Sequence, residues 1–91
     1  MKLQREVKVK NPLGLHARPA AYIARLLQDK RSQVHFTYRG EKVNARSIMG
    51  VLILAAQKNA RIQIDVDGED AETTMQALIE AFESEFEDGN A

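Results

Sequence analysis

The chain has 91 residues, of which 44% are hydrophobic, and thirteen basic and thirteen acidic side chains give a formal net charge of zero. This length predicts one domain over residues 1–88 with its own core, followed by a short tail at residues 89–91. Because the charges cancel, no overall field attracts nucleic acid or an anionic membrane. The absence of cysteine, with only two histidines, argues against a structural zinc site, and we expect no cofactor.

No apolar run approaches the length of a transmembrane helix, and the first six residues lack the apolar stretch of a signal peptide. We therefore expect a cytoplasmic protein without membrane insertion. We also expect a monomer, which recognises its partners through local surfaces and not through its overall charge.

The chain opens with an alternating segment. Leu3, Val7 and Val9 are separated by polar residues, which predicts a strand with one face in water. After a loop, apolar residues at helical spacing predict a first helix from Ala17 to about residues 29–30.

His16 falls where the loop turns into this helix, at or next to the N-cap, and Arg18 follows two residues later. The opening turn of a helix has backbone N–H groups without intrahelical partners, and its dipole favours negative charge. Imidazole is a nucleophile at neutral pH and becomes a good leaving group again. The position therefore suits His16 as the acceptor of a phosphoryl group, with Arg18 as a contact to its oxygens.

Two further strands and a turn follow. Residues 34–38 alternate between apolar and polar side chains, and residues 39–41 predict a tight turn into a short strand that ends near residues 43–44. The two strands should form a hairpin. His35 occupies a polar position of the first of them, and we expect a surface residue there without a chemical role.

The second half of the chain predicts a short helix, a strand and a longer helix. Ser47 precedes an apolar stretch and is expected to be the N-cap of the short helix, which Gly50 weakens. Residues 62–67 alternate as a strand does. The last helix has an apolar stripe formed by Ala71, Met75, Leu78, Ile79 and Phe82. Acidic residues at the end of this helix oppose its dipole, so we expect the terminal turn and the tail to fray.

The resulting order is βαββαβα, and each helix is apolar along one stripe only. This order predicts an α+β fold in which three helices cover one face of a four-stranded, mainly antiparallel sheet. The other face of the sheet should lie in water.

Two motifs carry a family resemblance. They are Leu-Gly-Leu-His-Ala-Arg-Pro-Ala at residues 13–20 and Asn-Ala-Arg-Ser-Ile-Met-Gly at residues 44–50. Together they resemble HPr, the histidine-containing phosphocarrier of the bacterial phosphoenolpyruvate-dependent phosphotransferase system, over essentially the whole chain. The resemblance implies an open-faced β-sandwich. It also implies that His16 is phosphorylated on its δ1 (pros) nitrogen by enzyme I and passes the group to an enzyme IIA domain, as a carrier and not as an enzyme.

The resemblance implies a partner surface near the active histidine, and Met49 at least should be exposed there. The surface carried over from the family consists of Arg18, Ala21, Arg25, Ile48, Met49 and Leu52. In HPr proteins of some bacteria, a serine in the setting of Ser47 is phosphorylated by an HPr kinase/phosphorylase. That modification lowers phosphate acceptance at the histidine and can create a binding site for a transcriptional regulator. The N-cap role explains Ser47 equally well, and both interpretations stay open.

Three alternatives differ in class or branch. Residues 79–88, with their acidic end, look like the nitrogen-branch protein NPr, whereas residues 44–50 look like a sugar-branch HPr. A regulatory binding module that no longer carries phosphate is a second alternative, against which the intact His16 and Arg18 argue. An enzyme with His16 as general base would need an orienting carboxylate, and the sequence near His16 supplies none.

Overall fold

The computed structural model describes residues 1–87 as four strands and three helices. In chain order they are β1 (Lys2–Lys8), α1 (Ala17–Leu26), β2 (Gln33–Tyr38), β3 (Glu41–Asn44), α2 (Ile48–Ile53), β4 (Arg61–Asp67) and α3 (Ala71–Glu83). This order confirms the predicted βαββαβα arrangement. Within residues 1–87, no helix is both long enough and apolar enough to cross a membrane.

The four strands form one sheet in the order β1-β4-β2-β3, and every neighbouring pair is antiparallel. Phe36 in β2 pairs with Ile64 of β4 on one side and with Val43 of β3 on the other. The turn between β2 and β3 consists of Arg39 and Gly40, whose φ angles of 51° and 81° are typical of a two-residue hairpin turn. The predicted hairpin is therefore confirmed.

The core lies between one face of the sheet and the three helices. Along β4 the side chains alternate between buried and partly exposed, so that Ile62, Ile64 and Val66 face the helices. The helices contribute buried side chains at Ile23, Val51, Leu78 and Phe82, and Leu27 is buried directly after α1. Polar residues cover the opposite face of the sheet, which confirms an open-faced β-sandwich of the α+β class.

Polar contacts fix the end of α1 to the start of α3. Asp70, the N-cap residue of α3, accepts hydrogen bonds from the backbone N–H groups of Arg31 (2.8 Å) and Ser32 (3.0 Å). The guanidinium of Arg46 donates to three carbonyls after α1, among them those of Lys30 (2.7 Å) and Ser32 (2.8 Å). Because these carbonyls accept hydrogen bonds from Arg46, they do not need the N–H groups of a further helical turn. α1 accordingly ends at Leu26, earlier than the sequence predicts.

The turn after α3 packs against the helix, because Phe86 is 1% exposed and contacts Phe82. The expected fraying of this turn stays a prediction, and burial of the Phe86 ring opposes the weak unfavourable effect of exposed acids at a helix end. The expected fraying of the tail and the expected domain boundary after residue 88 lie outside the described residues.

Candidate functional site

His16 is the N-cap of α1, as predicted from the sequence. Its backbone is extended (φ −82°, ψ −167°), and within residues 1–87 its side chain makes no capping hydrogen bond. The first helical bond of α1 runs from the backbone N–H of Ala20 to the carbonyl of His16, at 3.1 Å. The backbone N–H groups of Ala17 and Arg18 lie before it and have no helical carbonyl to bind. They are donors for an anion next to the half-buried imidazole.

The loop before His16 is held by hydrogen bonds on both sides. The side-chain amide of Asn11 donates to the carbonyl of Gly14 at 2.6 Å, and the N–H of Gly14 donates back to the carbonyl of Asn11 at 3.1 Å. The N–H of Leu15, which is buried, donates to the carbonyl of Ala56 at 2.9 Å. The imidazole of His16 is therefore presented by a fixed backbone.

Gly14 is required where the loop passes the chain after α2. Its φ is +70°, and a Cβ atom there would lie 2.3 Å from the carbonyl oxygen of Ala56. Glycine meets both conditions because it has no Cβ atom. The loop can thus approach this backbone closely and deliver His16 to the start of α1.

Arg18 is exposed, and its guanidinium contacts the turn after α3. One terminal nitrogen donates to the carbonyl of Phe86 at 2.7 Å, and the other donates to the carbonyl of Glu85 at 3.4 Å. Its expected contact with a phosphoryl group stays a prediction. The sequence interpretation missed Glu85 and Phe86 as neighbours of the site, although Phe86 continues the helical spacing of Leu78 and Phe82.

Ser47 is the N-cap of α2, as the sequence predicts. Its hydroxyl oxygen accepts a hydrogen bond from the backbone N–H of Gly50 at 2.9 Å. Ser47 is also exposed at the start of a helix that packs against α1. The cap role is confirmed, and modification of the hydroxyl stays a prediction.

The residues of the expected partner surface differ in how far their side chains are exposed. Met49 is 66% exposed, which confirms its prediction, and Ile48 is 42% exposed. Arg25 is exposed, whereas Ala21 and Leu52 are half-buried. Because α1 and α2 pack against each other, these residues belong to two neighbouring helices.

The sequence interpretation left out two exposed apolar residues near this surface. Leu13, in the loop before His16, is 75% exposed, and Ile53, at the end of α2, is 61% exposed. Within residues 1–87, the exposed large hydrophobic side chains other than Met1 all lie in this loop or in α2. Such a concentration of apolar side chains typically marks an interaction surface.

His35 lies apart from this site. It is a half-buried residue of β2 on the polar face of the sheet, where it pairs with Asp65 of β4 and Asn44 of β3. Among residues 1–87, no three histidine, aspartate or glutamate side chains converge as they would around a metal ion.

Comparisons with known proteins agree over most of the chain. The PTS-HPr family model, which describes the PTS HPr component phosphorylation site, matches residues 3–84. The phosphocarrier protein HPr of Xylella fastidiosa (strain Temecula1) is 45% identical over 84 residues, which cover 92% of this chain and 94% of that protein.

Solved structures with the same fold include HPr from Thermoanaerobacter tengcongensis. That structure has a TM-score of 0.88 and 34% sequence identity, and the match covers 92% of this chain and 94% of the other. An HPr dimer from the same organism has a TM-score of 0.75 and 35% identity, over 90% and 94% of the two chains. The family model, the relative and the fold agree, and this chain belongs to the HPr family of phosphocarrier proteins.

Proposed function

We propose that this chain accepts a phosphoryl group from phospho-enzyme I on Nδ1 of His16 and passes it to enzyme IIA domains of the phosphoenolpyruvate-dependent phosphotransferase system. The observation that carries the proposal is the N-cap position of His16, beside two free helix N–H groups, in a chain of the HPr family. The chain acts as a carrier and not as an enzyme, since its phosphohistidine is an intermediate in a transfer between two other proteins.

The first step is nucleophilic attack by the imidazole on phosphorus. A bond forms between Nδ1 of His16 and phosphorus as the bond from phosphorus to the donor breaks. The N–H groups of Ala17 and Arg18 and the dipole of α1 then stabilise the negative phosphoryl oxygens. The exposed guanidinium of Arg18 adds charge-assisted hydrogen bonds.

The second step is release to the next protein. His16 is half-buried and its surroundings are partly in water, so that electrostatic stabilisation of the phosphoryl group is moderate. A nucleophile of the acceptor forms a bond to phosphorus as the bond from phosphorus to Nδ1 of His16 breaks, and imidazole leaves readily because its other ring nitrogen can carry a proton. Moderate stabilisation favours a carrier because the cargo must leave again.

Both partners dock on the same surface under this proposal. It consists of Arg18, Ala21, Arg25, Ile48, Met49 and Leu52. The exposure of Met49 supports the proposal, since a flexible, polarizable side chain adapts to unlike partners. Leu13, in the loop before His16, and Ile53, at the end of α2, are further exposed apolar side chains.

Regulation at Ser47 forms a further part of the proposal. Phosphorylation by an HPr kinase/phosphorylase would add about −1.5 to −2 charges two residues from Met49, and would thereby weaken docking of the carrier's partners. A transcriptional regulator would bind the modified form. The exposed hydroxyl supports access by a kinase, although the cap role alone explains the residue.

Two alternatives have specific support. Acidic residues at and after the end of α3, among them Glu83, Glu85 and Glu87, favour the nitrogen-related NPr branch. The motif at residues 44–50 favours the sugar branch. A regulatory module without phosphate transfer would have the same fold, but the N-cap position of His16 argues against it.

Intact-protein mass spectrometry tests the carrier function. The chain is incubated with enzyme I of matching origin, magnesium and phosphoenolpyruvate, and we expect one acid-labile phosphate. His16→Ala should abolish the adduct, whereas the matched variant His35→Ala should keep it because His35 lies on the open face of the sheet. If active enzyme I leaves the wild-type chain unmodified, the regulatory module becomes the better interpretation.

Transfer from the phosphorylated chain separates the two branches. Purified enzyme IIA domains of the sugar and nitrogen branches are mixed with it, and the loss of phosphate from the chain is followed over time. Faster transfer to a sugar-type enzyme IIA supports our proposal. Faster transfer to the nitrogen-type domain supports the NPr alternative.

A further inference from the structure

The turn after α3 has an unusual backbone. Glu85 and Phe86 have φ angles of 59° and 60°, in the left-handed region that side chains other than glycine rarely adopt. The N–H of Phe86 donates to the carbonyl of Ala81 at 2.8 Å, and the N–H of Glu85 donates to that of Phe82 at 3.2 Å. Two consecutive residues in this conformation persist only where the surrounding contacts hold them there.

The side chain of Phe86 supplies those contacts. It is 1% exposed and lies edge-on to Phe82 of α3, with ring centroids 4.8 Å apart, and to Tyr22 of α1, at 5.9 Å. Edge-to-face packing is a favourable geometry for aromatic pairs. The ring of Phe86 thus fixes the turn against both helices.

The same turn holds Arg18. Its guanidinium donates to the carbonyl of Phe86 at 2.7 Å and to that of Glu85 at 3.4 Å. Arg18 and Tyr22 are four residues apart in α1 and therefore lie on one face of the helix. Phe86 contacts that face twice, with its ring at Tyr22 and with its carbonyl at Arg18.

These contacts leave the guanidinium able to bind a second group. A guanidinium has five N–H donors, and the two bonds to the turn use two of them. An exposed arginine otherwise populates many rotamers, and ordering it during transfer would lose entropy. The two fixed carbonyls restrict the rotamers of Arg18 before a phosphoryl group arrives at His16.

We propose that Phe86 is a positioning residue for phosphoryl transfer, because its buried ring fixes the turn whose carbonyls hold the guanidinium of Arg18, two residues from His16. This inference rests on the proposed carrier function. Phe86 acts only through Arg18, so its effect on transfer should vanish when Arg18 is absent.

Transfer rates from phospho-enzyme I provide the first test. We expect Phe86→Ala to slow transfer roughly three- to tenfold through loss of positioning. Phe86→Leu keeps an apolar side chain in the turn and should give an intermediate rate with the fold retained. Ile79→Ala is the matched control, since Ile79 is a half-buried apolar residue of α3, and its rate should stay within about twofold of wild type.

A double-mutant cycle with Arg18→Ala shows whether the two residues act together. We expect Arg18→Ala and Arg18→Ala/Phe86→Ala to transfer at the same rate. An equal slowing by Phe86→Ala in both backgrounds would overturn the inference. If Phe86→Ala does not fold, Phe86→Leu takes its place in the same cycle.

An NMR measurement tests the positioning without phosphate. The Nε–H signal of Arg18 should report an ordered side chain in the wild type and a mobile one in Phe86→Ala, while Ile79→Ala leaves it ordered. An Arg18 signal that is equally ordered in Phe86→Ala contradicts the inference. If the wild type is not phosphorylated, the carrier proposal fails on that result, and the NMR result still decides whether Phe86 orders Arg18.

Discussion

At the scale of single residues, Ser47 combines a structural role with a proposed regulatory one. Its hydroxyl accepts a hydrogen bond from Gly50 and thereby caps α2. The same hydroxyl is exposed beside Met49, where a negative charge would alter docking. The cap requires an acceptor oxygen, whereas the proposed regulation requires a negative charge on the side chain. Substitutions can therefore separate the two roles.

Substitutions at Ser47 should separate the cap from the charge. Ser47→Ala removes the acceptor and should lower the free energy of unfolding by about 1 kcal/mol with little effect on transfer. Ser47→Asp keeps a capping oxygen, so its stability should stay near wild type, whereas its charge should slow transfer from enzyme I by about tenfold. Urea denaturation and transfer kinetics measure the two effects.

Ser47→Asn is the control for this pair, because asparagine caps a helix without adding charge. Its stability and its transfer rate should both resemble those of the wild type. Slow transfer by the asparagine variant would show that the hydroxyl itself, and not the charge, matters for docking.

Met49 tests the docking surface. Met49→Glu places a charge in an apolar area and should slow transfer by about tenfold while the fold remains intact, because the side chain is largely exposed. Stopped-flow transfer assays and thermal unfolding measure both properties. Thr73→Glu adds the same charge at an exposed position in the first turn of α3, where it complements the helix dipole, and should not change transfer. Equal rates for the two variants would remove Met49 from the surface.

The cap positions of His16 and Ser47 were predictable from the sequence, since a cap depends on residues within one helical turn of it. The partner of Arg18 was not. Its guanidinium bonds to a carbonyl 68 residues away along the chain. The backbone conformation that presents this carbonyl depends on burial of Phe86, which local propensity does not describe.

At the scale of elements, the loop over residues 11–14 determines where His16 lies. It is part of the connection between β1 and α1, and its glycine passes the backbone of Ala56 closely. Gly40, in the turn between β2 and β3, has a similar positive φ of 81° but open space around it. The two glycines therefore differ in packing and not in backbone conformation.

The pair Gly14→Ala and Gly40→Ala isolates this close approach. Gly40→Ala should lower the free energy of unfolding by about 1 kcal/mol, the cost of a left-handed alanine. Gly14→Ala should lower it by about 2–4 kcal/mol, because the new methyl group also displaces the loop, and it should slow transfer by moving His16. Denaturant titrations and transfer assays measure these effects, and equal losses of stability would contradict a packing role for Gly14.

The types and the order of the elements followed from hydrophobic periodicity, because each element buries one face. Their ends did not follow as well. The end of α1 depends on Arg46, which binds carbonyls after the helix from a position far along the chain. The turn after α3 depends on one buried aromatic ring. Tertiary contacts thus set the boundaries that local sequence leaves open.

At the scale of the whole molecule, polar contacts join the helices at both ends. Arg18 joins α1 to the turn after α3 near His16, and Asp70 joins the start of α3 to the chain after α1. Hydrogen bonds from the hydroxyl of Ser32 and the N–H of Arg31 hold the pKa of Asp70 well below its usual value. The ionised carboxylate is therefore favoured in the folded chain.

The stability conferred by Asp70 should depend on pH. Its pKa is lower in the folded chain, so its contribution is complete above the ordinary value of 3.8 and is lost as the pH falls through the folded pKa. Asp70→Asn should unfold at a lower temperature than wild type at pH 7, and the difference should narrow below about pH 4.

Thermal unfolding at a series of pH values checks this expectation. Asp29→Asn is the control, because Asp29 is exposed and its ion pair is with the neighbouring Lys30, and such exposed pairs contribute little. A difference between Asp70→Asn and wild type that stays constant from pH 7 to pH 2 would contradict the role of the ionised carboxylate.

The position of β4 in the sheet has a consequence for folding. Among residues 1–87, β4 is the last strand in sequence order, yet it lies between β1 and β2 and pairs with both. During synthesis, only the hairpin of β2 and β3 can form before β4 emerges, and β1 has no partner until then. Pairs between strands so distant in sequence must close long loops, which slows folding. The sheet can therefore be completed only after the chain has emerged from the ribosome as far as Asp67.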